Sequence, residues 1–208
     1  MLCQDKEFYN KGYNLIVGVD EAGRGPLCGP VVAGAVILPK NYYNEHINDS
    51  KKLSQKQREI AFKEILKNAV CFGIGYVSAE EIDKINIYEA SRIAMIKAIK
   101  NISIKQEFDL VISDDMPMKL PNIKVIPFIK GDAKFECVAA GSILAKVCRD
   151  HYMIAMSKKY PLYHFDKNKG YGTKEHMLAL DKYGPIKGFH RYTYEPVRKS
   201  FVKQLKLF

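Results

Sequence analysis

Acidic side chains in this sequence fall where predicted strands end or helices begin. Asp20 and Glu21 close one strand, Asp114 and Asp115 close another, and Asp132 precedes a long helix. In open α/β sheets, functional groups collect at such strand ends. Clustered carboxylates repel one another unless cations intervene, and hard oxygen ligands suit Mg²⁺ or Mn²⁺. Two such ions roughly 4 Å apart can activate a water and stabilise the leaving oxygen of a phosphodiester.

Structural roles explain several of these carboxylates equally well. Asp132 can be only the N-cap of the long helix, and Asp114 and Asp115 can be turn residues ahead of Pro117. Spacing alone therefore leaves the metal site and the structural roles open.

Asp20 and Glu21 raise a geometric question because adjacent strand residues face opposite ways. If both serve one site, the backbone must turn there, and the following Ala22-Gly23 makes such a turn feasible.

Charge and length limit the class of protein. The chain has 208 residues, 47% of them hydrophobic, and a net charge of +10. Twelve Lys/Arg against four Asp/Glu follow residue 157, and such a basic region predicts either polyanion binding or a merely solvated surface. The N-terminus has no apolar signal core, and the longest apolar run, Val31–Leu38, is too short to span a bilayer. We therefore expect a monomeric, cytoplasmic enzyme or binding protein without membrane contact.

The five cysteines are widely spaced, which favours reduced thiols. The one close Cys/His pair, Cys148 and His151, has no second pair, so no zinc site is expected.

Predicted elements position these residues in a mixed sheet flanked by helices, an α/β fold. Strands are expected over 14–19, 31–38, 71–77, 109–113 and 123–128, and helices after Ser54 and Ser78, over 87–99 and over 135–156. Both serines begin capping-box signatures. Small residues on the early face of the long helix would allow a close approach to a neighbour. The segment after about residue 160 is predicted to be an appendage and not a separate core.

Longer strings resemble the ribonuclease HII family, the type 2 ribonucleases H. They occur in the family's order over nearly the whole chain: 18–30 (GVDEAGRGPLCGP), 49–53 (DSKKL), 130–132 (KGD), 139–150 (AAGSILAKVCRD), 166–173 (DKNKGYGT) with His176, and His190-Arg191. The DEAGRG string at a strand end is very specific.

This resemblance implies a ribonuclease H-like fold, with a catalytic domain over 1–160 and a small, basic helical C-terminal subdomain over 161–208 that completes the substrate groove. It implies metal-dependent cleavage of RNA in RNA–DNA hybrids and of ribonucleotides embedded in duplex DNA. The expected metal-binding catalytic residues are Asp20, Glu21, Asp114 and Asp132. The expected substrate contacts are Gly23, Arg24, Gly25, Lys51, Ser142, Lys146 and the 2′-hydroxyl-sensing Tyr171.

Simple chemistry agrees with those roles. Exposed glycine amides admit a sugar-phosphate backbone, and Arg24 can pair bidentately with phosphate. Tyr171 offers a ring and a hydroxyl near the group that distinguishes RNA from DNA, although it can also be a packed aromatic in a Gly-rich loop.

One departure affects catalysis. Many relatives have Asp-Gly where this chain has Asp114-Asp115, so the choice of Asp114 rests on alignment of the preceding 110–113 segment. An inactive nucleic-acid-binding module of the same fold is the alternative, although it predicts loss of acidic ligands that are all present here.

The final residues, Gln204, Leu205, Lys206, Leu207 and Phe208, resemble the short peptide by which bacterial replication and repair proteins bind the sliding clamp. The alternative is a stripe of Phe201, Leu205 and Phe208 that packs the last helix onto the body.

Overall fold

Five strands form the centre of the protein. The computed structural model describes residues 4–205, and the side chains of residues 4–203. β1 (Ile16–Ala22), β2 (Val31–Ile37) and β3 (Cys71–Val77) pair antiparallel, whereas β4 (Leu110–Asp114) and β5 (Lys124–Phe128) run parallel to β1. The order β3-β2-β1-β4-β5 is the expected mixed sheet. β2 is buried throughout because helices cover both faces, which explains its unbroken apolar sequence.

Eight helices of the described chain surround this sheet. They are α1 (Asp5–Asn10), α2 (Gln55–Asn68), α3 (Ala79–Ile85), α4 (Ile87–Ser103), α5 (Glu136–Lys159), α6 (Phe165–Asn168), α7 (Lys174–Tyr183) and α8 (Glu195–Leu205).

Glycines bring the two longest helices close to the sheet. A Cβ on Gly75 would lie 2.0 Å from the carbonyl oxygen of Ala94 in α4, and one on Gly34 would lie 2.4 Å from that of Gly141 in α5. The small face of α5 therefore makes the close approach that the sequence predicts. A Cβ on Gly18 of β1 would likewise lie 2.1 Å from the backbone of Cys137, so α5 also lies directly over the strand that carries Asp20 and Glu21.

Several element ends differ from expectation. β1 continues through Asp20 and Glu21 to Ala22, because Glu21 and Ala22 still pair with Ala33 and Val32 of β2. The expected end at residue 19 is therefore three residues short. The capping boxes at Ser54 and Ser78 are both present.

Helix α1 is not predicted, and its role emerges only from packing. Asp5 accepts hydrogen bonds from the backbone N–H groups of Glu136 (2.7 Å) and Cys137 (3.3 Å). It thereby satisfies the first turn of α5, to which it is distant in sequence.

The segment after residue 160 contributes to a hydrophobic cluster that includes Leu27, Cys28 and Met153 from the earlier part of the chain. Tyr163, Phe165, Leu180 and other residues complete it. The domain boundary at residue 160 stays a prediction. No helix within 4–205 is long and apolar enough to cross a membrane.

Candidate active site

Three carboxylates meet at one edge of the sheet. Parallel pairing of β1 and β4, with Val19 opposite Ser113, places Asp20 beside Asp114. Asp132 reaches the same point from a short 3₁₀ turn, Gly131–Ala133, that precedes α5. One carboxylate oxygen from each residue lies within 4.8 Å of the other two. Asp20 and Asp132 are buried, so the cluster is partly shielded from water.

Asp132 is not the N-cap of the long helix. That position belongs to Phe135, which makes no side-chain capping bond. Asp132 instead accepts a hydrogen bond from Nζ of Lys51 at 3.1 Å, across a long sequence separation. The structural alternative for Asp132 is therefore wrong.

Asp114 and Asp115 have different surroundings. Asp114 Oδ1 accepts a hydrogen bond from the N–H of Gly131 at 2.7 Å, which ties the β4 end to the turn carrying Asp132. Asp115 has a φ of 44° and donates its N–H to the carbonyl of Phe128. Only Asp114 belongs to the three-carboxylate cluster, although both residues line the cleft.

Glu21 lies beside the cluster, and the chain turns after it at Gly23, whose φ is +100°. Oε1 of Glu21 pairs with Arg24 at 3.3 Å. Oε2 is buried and has no hydrogen-bond partner within the described residues. A buried carboxylate oxygen without a donor beside three other carboxylates is suited to a cation.

The pKa values of the clustered carboxyl groups also favour a bound cation. Burial, with the neighbouring charges of Glu21 and Asp114, raises the pKa of Asp20 well above its ordinary value. Burial also raises the pKa of Glu21, against the lowering effect of Arg24. The pKa of Asp114 is raised by burial and by Asp132. These carboxylates therefore disfavour one another's ionised forms, and a divalent cation would offset that repulsion.

A cleft of about 560 Å³ opens onto this cluster. It brings together all seven substrate-contact residues predicted from sequence, along with three of the four carboxylates. Its lining is Asp20, Glu21, Ala22, Gly23, Arg24, Gly25, Ser50, Lys51, Arg58, Asp114, Asp115, Ser142, Lys146 and Tyr171.

Ser50 and Arg58 also line the cleft, although the sequence does not predict them as site residues. The Oγ atoms of Ser50 and Ser142 lie within hydrogen-bonding distance, 2.8 Å apart. The hydroxyl of Ser142 also acts on Asp20, where it lowers the pKa of the carboxyl against the larger, raising effect of burial. Arg58 donates to the carbonyls of Ser50 and Leu53 and so holds the loop. Ser50 lies within the 49–53 segment that resembles the ribonuclease HII family, whereas no local sequence pattern identifies Arg58 as a site residue.

Buried Arg191 fixes the Gly23–Arg24 turn. It donates to the carbonyls of Gly23 (2.6 Å), Arg24 (2.9 Å) and Gly29 (3.0 Å). Tyr194 adds a bond from its hydroxyl to the carbonyl of Arg24 at 2.6 Å. The turn is thus anchored from the C-terminal part of the chain, while the side chain of Arg24 remains half exposed.

Tyr171 lies in the cleft and not in the core. The residue is 44% exposed, and a Cβ on Gly25 would lie 3.7 Å from its ring. Nζ of Lys146 is 5.8 Å from the ring centroid and 2.9 Å from Asp150. Tyr171 is therefore not the packed aromatic of a Gly-rich loop that the sequence offered as an alternative.

Comparison with known proteins assigns the chain. The family model described as Ribonuclease HII matches residues 17–197. The chain belongs to the ribonuclease HII family. It is 52% identical over 189 residues to ribonuclease HII of Bacillus subtilis, covering 91% of this chain and 72% of that relative. It is an endoribonuclease, and therefore a hydrolase.

Solved structures of related proteins share the fold. Ribonuclease H2 from Pyrococcus horikoshii superposes with a TM-score of 0.73 at 27% identity, covering 92% of this chain and 99% of that one. Ribonuclease HII from Archaeoglobus fulgidus, solved in a complex with PCNA, gives 0.68 at 26% identity, covering 87% and 95%. The family and fold expected from the quoted motifs are thereby confirmed.

Proposed function

We propose that this ribonuclease HII relative hydrolyses the RNA strand of RNA–DNA hybrids and nicks duplex DNA on the 5′ side of embedded ribonucleotides, leaving a 3′-hydroxyl. The observation that carries the proposal is a single cleft in which clustered carboxylates accompany the Gly23–Gly25 turn and the exposed ring of Tyr171. A nuclease of another kind has no need for the turn and the ring together.

Asp20, Glu21, Asp114 and Asp132 would hold two divalent cations, Mg²⁺ or Mn²⁺. The unpartnered oxygen of Glu21 and the mutual repulsion of the other carboxylates fit such ions. When bound, the ions would supply an activated water and stabilisation of the leaving oxygen. The hydroxyl of Ser142, which pairs with that of Ser50, would favour the ionised form of Asp20 that binds a cation.

Cationic side chains of the cleft would bind the phosphates. Lys51 is 77% exposed at its side chain while its Nζ contacts Asp132. Its pKa is raised, because the bond to Asp132 and nearby carboxylates outweigh partial burial, so the ammonium stays charged. Arg24 can exchange its contact with Glu21 for a bidentate contact with phosphate.

A labelled DNA duplex with one internal ribonucleotide tests this function directly. We expect one cut, 5′ of the ribonucleotide, with Mg²⁺ or Mn²⁺ and none in EDTA. An all-RNA strand paired with DNA should also be cut, and an all-DNA duplex should not. Binding without cleavage under every metal condition would favour the inactive nucleic-acid-binding module instead.

Replacement of Tyr171 tests the recognition of the sugar. Tyr171→Ala removes the ring and should lower kcat/KM on the single-ribonucleotide duplex by about 10- to 100-fold, since stacking on an aromatic contributes about 1–3 kcal/mol. Tyr171→Phe keeps the ring and isolates the hydroxyl. Affinity for an all-DNA duplex should change little in either variant. Equal losses on both duplexes would mean that Tyr171 only supports the loop.

The C-terminal peptide is proposed to bind a sliding clamp through Gln204, Leu205, Leu207 and Phe208. Leu207 and Phe208, and the side chains of Gln204 and Leu205, lie outside the described residues. The PCNA complex of the Archaeoglobus relative supports a clamp partner. Upstream of the peptide, Phe201 packs edge-on against Tyr192 with ring centroids 5.2 Å apart, which keeps the packing alternative open.

Deletion of residues 204–208 distinguishes these alternatives. A docking peptide predicts loss of binding to a bacterial sliding clamp, with an unchanged melting temperature and unchanged clamp-free cleavage. Lys206→Gln, which keeps the apolar residues, serves as the control and should still bind. A packing role predicts a fall of several degrees in melting temperature, since each buried apolar side chain contributes about 1.5–3 kcal/mol. That fall with unchanged clamp binding would overturn the docking proposal.

A further inference from the structure

Two histidines and a cysteine form a buried cluster outside the carboxylate site. Sγ of Cys28 and one ring nitrogen each of His176 and His190 lie within 4.8 Å of one another, and all three residues are almost fully buried. The sequence motifs contain these residues without indicating that they meet. Such a cluster is either a metal site or a hydrogen-bonded network.

Hydrogen-bond directions decide between the two. The backbone N–H of Ile186 donates to Nδ1 of His190 at 2.8 Å, so that nitrogen carries a lone pair. The proton of a neutral His190 is then on Nε2, which lies 3.1 Å from Nε2 of His176. His176 accepts there and carries its own proton on Nδ1, 2.9 Å from the carbonyl oxygen of Tyr171.

Every ring nitrogen of the pair therefore has a partner, in one consistent direction from Ile186 to Tyr171. A cation would need lone pairs that this arrangement has already used. Burial raises the pKa of the Cys28 thiol to about 12 and lowers the pKa values of both histidines, as expected for a neutral network.

The network ends at the backbone carbonyl of Tyr171, the residue whose ring lies in the cleft. The neighbouring Gly170 is also held, because its carbonyl accepts the N–H of Leu27 at 2.8 Å. The loop at Tyr171 is thus hydrogen-bonded on one side to Leu27, in the loop between β1 and β2, and on the other side to the histidine pair.

We propose that His176 and His190 are positioning residues for ribonucleotide recognition, acting by a fixed pair of tautomers that holds the Tyr171 carbonyl and so sets its ring beside Gly25. This inference rests on the proposed role of Tyr171 as the sugar contact. It assigns to two buried histidines a role in specificity and not in the chemical step.

His176→Leu and His176→Asn form the test pair. Leucine removes the side-chain donor to the Tyr171 carbonyl and leaves it only the backbone N–H of Thr173 at 2.8 Å, whereas the asparagine amide can still donate to that carbonyl. On the single-ribonucleotide duplex, we expect His176→Leu to lower kcat/KM about tenfold, as for loss of one hydrogen bond. His176→Asn should restore most of that loss, and the exposed His46→Leu should have no effect.

A double-mutant cycle separates positioning from simple loss of stability. Measured at a temperature where every variant is folded, His176→Leu should have no further effect on selectivity in a Tyr171→Ala background. Additive effects would overturn the inference. If Tyr171→Ala alone leaves activity unchanged, the proposed recognition fails. If Tyr171→Ala is impaired and His176→Leu is not, only this inference fails.

Titration with Co²⁺, followed by visible absorbance, tests the metal alternative. We expect no cobalt–thiolate band from the wild-type protein. A stoichiometric band that Cys28→Ser abolishes would show a metal site and overturn the proposed network.

Discussion

Asp20→Asn is expected to reduce the cleavage rate by at least about 10³-fold, since a metal ion contributes several kcal/mol to the transition state and about 1.4 kcal/mol is tenfold. Asp20 is buried, and one of its carboxylate oxygens lies within 4.8 Å of those of Asp114 and Asp132. Asparagine keeps the size of the side chain but removes the charge. The rate is measured on the single-ribonucleotide duplex under saturating Mg²⁺.

The same substitution should stabilise the protein in the absence of metal. The folded pKa of Asp20 is raised above the ordinary 3.8, so the folded state holds its proton more tightly than the unfolded state. Stability is therefore lost as pH rises from about 4 through the folded pKa. Asparagine does not ionise, so the variant does not lose stability in this way as the pH rises.

In EDTA near pH 8, we expect Asp20→Asn to melt at a higher temperature than the wild type. The difference should be roughly 2–4 °C for each 1 kcal/mol by which the substitution raises the free energy of unfolding. Mg²⁺ or Mn²⁺ should raise the wild-type melting temperature and have much less effect on the variant. A variant that melts lower than the wild type in EDTA would show that the cluster is not under repulsion.

Asp115→Asn is the matched control for the cluster. Asp115 lines the cleft but lies outside the three-carboxylate group, so its loss should have a small effect while Asp114→Asn is severe. The reverse ranking would show that the motif alignment is displaced by one residue.

Arg191→Met should have the largest effect on stability. The substitution leaves the carbonyls of Gly23 and Gly29 without their donor and leaves the carbonyl of Arg24 with only the Tyr194 hydroxyl, and each buried unsatisfied group costs about 1–3 kcal/mol. A loss of about 3–5 kcal/mol corresponds to a fall of roughly 10 °C or more in melting temperature. Thermal unfolding by circular dichroism measures it.

Activity of Arg191→Met should also fall at temperatures where it is folded, because the Gly23–Arg24 turn loses its anchor. KM for the duplex should rise more than kcat falls. Arg198→Met, an exposed arginine on α8, is the control and should be nearly neutral. A melting temperature within about 2 °C of the wild type would contradict the anchoring role of Arg191.

Local sequence predicted the strand ends that carry Asp20 and Asp114, because apolar runs followed by acidic residues are local features. It could not decide between an N-cap and a metal ligand for Asp132, whose hydrogen-bond partner Lys51 is remote in the chain. The extension of β1 through Asp20 and Glu21 depends on pairing with β2, which outweighs the low strand propensity of acidic residues.

Buried polar networks were the least predictable part of the site. Asp5, Arg58, Arg191 and the His176–His190 pair all act on backbone groups or side chains that only tertiary packing brings near. A sequence shows that such residues are polar, but not which carbonyl or amide they will meet. The motifs located the loops of the site, and the packing shows what holds those loops in place.

The central claim is that the carboxylates at the sheet edge bind the divalent ions that cleavage requires. Anomalous scattering from Mn²⁺ in crystals of the wild-type protein with an uncleavable duplex tests it most directly. We expect two manganese peaks, both coordinated within the group formed by Asp20, Glu21, Asp114 and Asp132. No peak among these residues, together with cleavage that persists in EDTA, would contradict the account.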